Sequence, residues 1–478
     1  MSAMLFTCQA SASKYSPEGI YNPEIYHLDN GLRVILNPRH AARNVSIRLD
    51  IGIGNYDFPC EIQETPHFLE HLLFTGTSNH SETELDDIIT QHGGYWNAAT
   101  YDESTVYELD IYSEYSDVGL STLNEIITDA TITKENFILS KDIIYSELGG
   151  EPTTTESFLY RHGLVRSASS KVSRLFFNSS RVNCGNLDAL KRVRHKNVLD
   201  AYNKYYVPNN MTLVVVGDFN SEKIKDQIKQ LFGQQDKKNI TRDIPRSDDF
   251  TQGPVNITGT FKPFLADEGR SLLAYRINGY GSPEYYKLIV VSSYLNERLY
   301  EVVRVQEGLS YSPEASIYAD TNEGMLLVSA ESKLDDIDKV MKLMDMEVNL
   351  LRDGNVSDEE INKTIRSELL GWAQGIESNS EIAEYYINSL DELNRHGKFL
   401  NQEDILESIT PEEVRAVANE YLDPSRMVYI KSTPTITKNQ LYLLMGSLIT
   451  LILFLAWKIY RRVSLRIGSN LKSVEETV

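Results

Sequence analysis

His67-Phe68-Leu69-Glu70-His71 constrains this chain more than any other stretch. It lies between Thr65-Pro66 and Leu72-Leu73-Phe74, in a run apolar enough for a buried helix. Pro66 suits the first helical position, where its missing N–H costs nothing. His67 and His71 are four residues apart, so a helix puts them on one face, where two imidazoles can converge on one metal ion. Glu70 falls beside that face, close enough to reach a water there without being a ligand. A buried helix with two merely hydrogen-bonded histidines would show the same five residues.

The order H-x-x-E-H reverses the more familiar H-E-x-x-H and is itself a zinc-peptidase signature. A catalytic zinc takes three protein ligands and keeps one position open. The third ligand should be an acid or a histidine on a neighbouring element. Residues 133–148 read as a helix, with Thr133 as N-cap and Glu135 in the first turn. Phe137, Ile138, Ile143 and Ile144 recur at helical spacing, and Gly149-Gly150 ends the run. The last acid before that stop is Glu147, 76 positions beyond His71 (71 to 147).

H-x-x-E-H followed at that distance by Glu resembles the pitrilysin/insulinase family of zinc peptidases. The chain looks most like the half-length branch that includes the mitochondrial processing peptidase and its bacterial relatives. Leu28-Asp29-Asn30-Gly31-Leu32-Arg33-Val34 is similar to the family's first strand, and Leu72-Leu73-Phe74-Thr75-Gly76-Thr77 follows the metal helix as in the family. Gly93-Gly94-Tyr95-Trp96-Asn97-Ala98-Ala99-Thr100 and Thr105-Val106-Tyr107 resemble its substrate-edge region. The likeness covers about residues 20–432.

The resemblance implies a zinc endopeptidase in which His67, His71 and Glu147 hold Zn2+ and Glu70 is the general base. It implies an edge strand, Tyr95 to Thr100, that pairs with extended peptide through Asn97 and Ala98. It also places Arg304 and Tyr311 of the second half over the site, for peptide positioning and oxyanion stabilisation. Two positions depart from the family. A second Glu usually stands seven residues before the ligand Glu, where this chain has Ser140, and the usual Gly three residues before the first His is Glu64. Loss of an outer carboxylate bears on catalytic strength more than on metal binding.

A chain of 478 residues is too long for one core, so two or three domains are expected. A net charge of −21 excludes nucleic acid as a natural partner and favours basic or extended peptides, unless it serves only solubility. Three cysteines, Cys8, Cys60 and Cys184, give no disulfide framework, and Cys60 reads as an ordinary thiol.

The division expected is an arm over 1–19, a metal-binding α/β domain over 20–235, a polar linker over 236–255 and a second domain over 256–432. Asn203-Lys204-Tyr205-Tyr206-Val207-Pro208-Asn209-Asn210-Met211 and Asn419-Glu420-Tyr421-Leu422-Asp423-Pro424-Ser425-Arg426-Met427 share Asn, Tyr, Pro and Met at a constant offset of 216 (203 to 419, 211 to 427). Each leads into an apolar strand, which argues for duplication. The fold expected is α+β: two homologous α/β domains, each an antiparallel sheet with packed helices, forming a clamshell.

Residues 441–457 carry no charge, and 441–460 are long enough to span a bilayer, with Tyr442, Trp457 and Tyr460 at the interfaces. Lys458, Arg461, Arg462 and Arg466 follow the uncharged run, the last three in the 461–478 tail, against Lys438 alone before it. Positive-inside then puts the tail in the cytoplasm and the catalytic domains on the other side, whereas tail-anchoring without an export signal would keep those domains in the cytosol. The N-terminus offers only a small-x-small ending near Ala10-Ser11-Ala12, without a basic region or long apolar core.

The reading is a single-pass membrane zinc metalloendopeptidase for short or unfolded peptides, paired as a homodimer or with a homologous subunit. The alternatives are a non-catalytic structural or activating subunit, and a scaffold that binds peptides without cutting them.

Overall fold

The computed structural model describes residues 19–147, 192–242, 255–261, 266–320 and 322–475, with isolated positions at 153–155, 158, 162 and 175. The arm before Gly19, the stop at Gly149-Gly150 and most of the linker lie outside them. Two sheets organise the chain. The first contains β1 (Glu24–His27), β2 (Arg33–Pro38), β3 (Asn44–Ile51), β4 (Tyr95–Thr100), β5 (Thr105–Tyr112) and β6 (Met211–Gly217). Its order is β1-β2-β6-β3-β5-β4. The second contains β7 (Val255–Thr260), β8 (Glu268–Asn278), β9 (Glu314–Ala319), β10 (Glu323–Lys333) and β11 (Met427–Thr433), in the order β7-β11-β8-β10-β9.

Without β1 the two orders are the same. In each copy the last strand lies parallel to the first, β6 on β2 and β11 on β7, while the other pairings are antiparallel. The sheets are therefore mixed, which corrects the antiparallel expectation. A long crossover allows it, because the last strand returns to the sheet only after intervening helices. The repeat read from sequence marks that return. The helices His195–Tyr205 and Pro411–Tyr421 each lead through a single 3-10 turn into β6 and β11.

Four helices of the first half matter most: α1 (Thr65–Phe74), α2 (Glu82–Gln91), α3 (Ser116–Thr128) and α4 (Lys134–Glu147). Pro66 takes the second helical position, because the helix already begins at Thr65, whose hydroxyl donates to the Ile62 carbonyl at 2.6 Å. Gly93, at φ +68°, makes the turn between α2 and β4 that a side chain would strain. Cys60 is disulfide-bonded, not a free thiol. It sits partly exposed in the short turn Cys60–Ile62.

Alternation along the central strands buries both faces of the first sheet. Val34, Leu36, Leu213 and Val215 face α1 and α3, while Ile35, Val214 and Val216 face the other way. That second face is covered from the second half of the chain, by the helix Asn379–Asn388 with Ile382, Ala383, Tyr385 and Tyr386. Polar contacts lock it in place. Asn37 donates to the Tyr386 hydroxyl at 2.5 Å, which donates to the Ile20 carbonyl at 2.5 Å. Arg48, 2% exposed, donates to the Ile47 carbonyl, Asp110 and Ser380.

Beyond β11 one helix, Lys438–Glu475, continues. Its first 26 residues, Lys438–Val463, are long and apolar enough to cross a membrane, and none is buried.

Tyr386→Ala removes the side chain at the centre of the contact between the halves, with an expected loss of about 3–5 kcal/mol. Calorimetry of the full chain should show a lower first transition and separate unfolding of the two halves. One undivided transition at the wild-type temperature would contradict this coupling.

Candidate metal centre

Phe68, Leu69, Leu72 and Leu73 of α1 are completely buried among the side chains of the first core. That stripe leaves His67, Glu70 and His71 on the opposite side of the helix, where with β4 and α4 they line a cleft of about 760 Å³. Thr133 caps α4 as its sequence suggests, its hydroxyl accepting from the Asn136 N–H at 3.0 Å. Two contacts dock α4 on α1. Phe137 stacks on Phe68 with centroids 4.9 Å apart, and the Asn136 amide donates to the Thr75 hydroxyl at 2.9 Å. Ser140, Ile144 and Glu147 follow on one face of α4, at steps of four and three. Ser140 and Ile144 are buried, and Glu147 reaches the histidines.

The three expected ligands come together. His67 Nε2 is 3.2 Å from His71 Nε2 and 3.2 Å from Glu147 Oε2, and His71 Nε2 is 3.4 Å from Glu147 Oε2. Ligand atoms around a tetrahedral zinc with bonds of about 2.0–2.1 Å stand about 3.3–3.4 Å apart. The triangle therefore fits such an ion, and its two nitrogens and one oxygen are donors that zinc takes. Among the described residues this is the group of His, Cys, Asp or Glu side chains that could hold a metal.

The other expected residues divide. Glu70 Oε2 accepts from the Thr100 hydroxyl at 2.6 Å, which holds the carboxylate at the cleft. Asn97 and Ala98 line the same cleft from β4, an edge strand paired only with β5 among the described strands. Trp96 anchors that strand by packing edge-on to Phe74 at 4.8 Å. Arg304 and Tyr311 are not among the cleft residues. Arg304 sits in the π-helical turn Tyr300–Gln306, with its guanidinium 4.4 Å from the ring of Tyr311, which is 79% exposed.

Among the described residues, the cleft is lined from within 55–147. A larger cavity of about 1620 Å³ lies between the two halves and contains none of the metal residues. It opens on Arg48, Val106 and Glu108, the face of the first sheet turned away from α1. The two halves of one chain thus meet behind the site.

Sequence reasoning missed two participants. Thr100 carries no pattern that would single it out. Glu64 did leave a trace, since it stands three residues before His67 at a spacing that meets on a helix. Its Oε2 lies 3.1 Å from His67 Nδ1.

A two-domain α/β fold with a His–His–Glu cluster on helices of the first domain defines a class that comparison with known proteins identifies. The family model described as insulinase (peptidase family M16) matches residues 33–158, and that described as the peptidase M16 inactive domain matches residues 192–368. The chain belongs to the pitrilysin/insulinase family, M16. It is 25% identical over 343 residues to YmxG of Bacillus subtilis, described as an uncharacterized zinc protease, covering 70% of this chain and 80% of that one. It is 24% identical over 408 residues to an uncharacterized zinc protease of Rickettsia felis, covering 81% and 92%. A protease from Helicobacter pylori shares the fold with a TM-score of 0.75 at 19% identity, over 87% of this chain and all of that one. The periplasmic protease PqqL from Escherichia coli shares it with a TM-score of 0.68 at 18% identity, over 88% of this chain and 48% of that one.

The two imidazoles differ in proton affinity. Burial opposes a proton on His67, but its bond to Glu64 and the fields of Glu70, Glu64 and Glu147 outweigh burial and hold it above the usual 6.5. Burial and the neighbouring His67 push His71 below that value, against the pull of Glu147 and Glu70. As pH falls in metal-free protein, His67 should therefore take its proton before His71. Imidazole NMR titration checks the order, and the reverse order would contradict it.

Proposed function

We propose that the chain is a membrane-anchored zinc metalloendopeptidase that cuts short or unfolded peptides in a chamber completed by a second chain. The observation that carries this reading is the triangle of His67 Nε2, His71 Nε2 and Glu147 Oε2, with edges of 3.2, 3.2 and 3.4 Å, beside a tethered Glu70. Zinc held there supplies Lewis acidity toward a peptide carbonyl. The free edge of β4 binds extended peptide by main-chain pairing at Asn97 and Ala98. Glu70 takes the proton of the attacking water and returns it to the leaving amine. Thr100 keeps the carboxylate aimed at that place.

Arg304 and Tyr311 act from a second copy or a homologous partner. The 79% exposure of Tyr311, the half-buried Arg304 beside it, and the absence of both from the described lining of their own chain's cleft support this assignment. The chain also matches about half the length of PqqL, so a pair of such chains corresponds to that protein. Lys438–Val463 anchors the assembly, with its basic tail in the cytoplasm and the catalytic domains on the other side. The Cys60 disulfide supports that side, since disulfides persist in oxidising compartments.

Three outcomes are expected of the full chain in detergent. Glu70→Gln keeps about one zinc per chain and loses about 10²–10⁴-fold in peptide turnover. His67→Ala and His71→Ala lose both zinc and turnover. Metal analysis and a mixed unfolded-peptide library measure these effects, and near-normal turnover by Glu70→Gln would sink the assignment of the base. Zinc without turnover in the wild type would favour the non-catalytic subunit instead.

A mixing experiment tests the shared site. Glu70→Gln and Tyr311→Phe chains, each inactive alone, should regain activity when co-assembled, because one cleft of the mixed pair is intact. No recovery from a verified mixed dimer would assign Tyr311 elsewhere.

A further inference from the structure

Glu64 occupies the N-cap of α1, yet its carboxylate makes no capping bond. N-cap acceptors ordinarily take the N–H of the second or third helical residue. Here the second residue is Pro66, which has no N–H. The carboxylate turns instead to the side chain of the third residue, with Oε2 3.1 Å from His67 Nδ1. Both side chains are largely shielded, at 24% exposure for Glu64 and 20% for His67. A neutral imidazole that donates from Nδ1 to a carboxylate must present Nε2 as a bare lone pair. In this site Nε2 is the nitrogen turned to His71 and Glu147.

Among the described residues, the opposite wall offers no second carboxylate of this kind. Ser140 lies two turns before Glu147 on the same face of α4 and is 2% exposed. Glu82 and Asp142 also line the cleft, but none of the described hydrogen bonds brings either to His67 or His71.

We propose that Glu64 is a positioning residue of the metal centre: it fixes His67 with Nε2 toward the cleft and supplies the outer carboxylate that Ser140 does not. This inference rests on the zinc reading above. An outer partner of this kind usually contributes 10–100-fold to metal affinity.

The test compares wild type with Glu64→Gly and Glu64→Gln in the full chain, using zinc alone against a chromophoric chelator. Glycine is itself accepted at N-caps, so α1 should persist. Glu64→Gly should weaken zinc binding by about 10–100-fold. Glu64→Gln, which keeps an acceptor for the Nδ1 proton, should lose clearly less. Zinc binding by Glu64→Gly within about twofold of wild type, well short of the outer-partner contribution, would overturn the proposal. A second readout needs no metal. In zinc-free protein, where His67 is neutral, imidazole nitrogen NMR should show its proton on Nδ1, and Glu64→Gly should lose that preference. A wild-type His67 protonated on Nε2 would also overturn the proposal. If wild type takes no zinc, the peptidase reading fails, and the NMR comparison still decides the role of Glu64.

Discussion

The burial of one apolar stripe decides where chemistry is possible in this chain. Phe68, Leu69, Leu72 and Leu73 each stabilise the fold by about 1.5–3 kcal/mol when fully buried, or about 6–12 kcal/mol together. Rotating α1 to hide the histidines would expose that stripe and drive the Glu70 carboxylate into the core. The helix therefore has one stable orientation, and it turns His67, Glu70 and His71 toward α4 and β4. Phe137 on Phe68 then sets how far along α1 the second helix lies. The Asn136 amide, donating to the Thr75 hydroxyl, holds the same seam. Apolar packing and this bond together bring the faces that carry the expected ligands toward each other.

Duplication supplied two frameworks, and only the first carries histidines on this helix. The helix Tyr285–Leu299 follows β8 as α1 follows β3. It buries Leu288, Val290, Val291, Tyr294, Leu295 and Leu299 and carries no histidine. The second copy contributes in other ways. It covers the rear of the first sheet with Asn379–Asn388, and it exposes Tyr311 beside Arg304. Each half thus keeps its own core, and the expected metal ligands lie in the first.

Much of this was legible in the sequence, for local reasons. H-x-x-E-H and the capped run ending at Glu147 each state a helix face, and two faces with complementary donors imply their meeting. The shared Asn, Tyr, Pro and Met at an offset of 216 mark the same turn into the last strand of each sheet. What stayed hidden depends on long-range choice. The apolar face of Asn379–Asn388 says that it must be covered, not that the first sheet covers it. An odd number of cysteines does not reveal that Cys60 is paired. The parallel pairing of β6 with β2 is invisible in strands that read simply as buried. Thr100 became meaningful only once β4 lay beside Glu70.

The position of the cleft has a further consequence. The halves of one chain meet on the far side of the first sheet, so among the described residues none of the second half lines the candidate metal cleft. Glu147 remains 48% exposed, β4 is an edge strand among the described strands, and Tyr311 is 79% exposed on its own domain. A symmetric pair meets all three conditions with one kind of contact, because a two-fold contact offers each chain's second half to the other's cleft. The proposed anchor fits the same arrangement. If Lys438–Val463 crosses a membrane, a two-fold axis along the membrane normal lets both helices enter one bilayer, and tethering raises the effective concentration of one chain for the other. On that reading the anchor makes the second chain available, and the second chain turns an open cleft into a chamber.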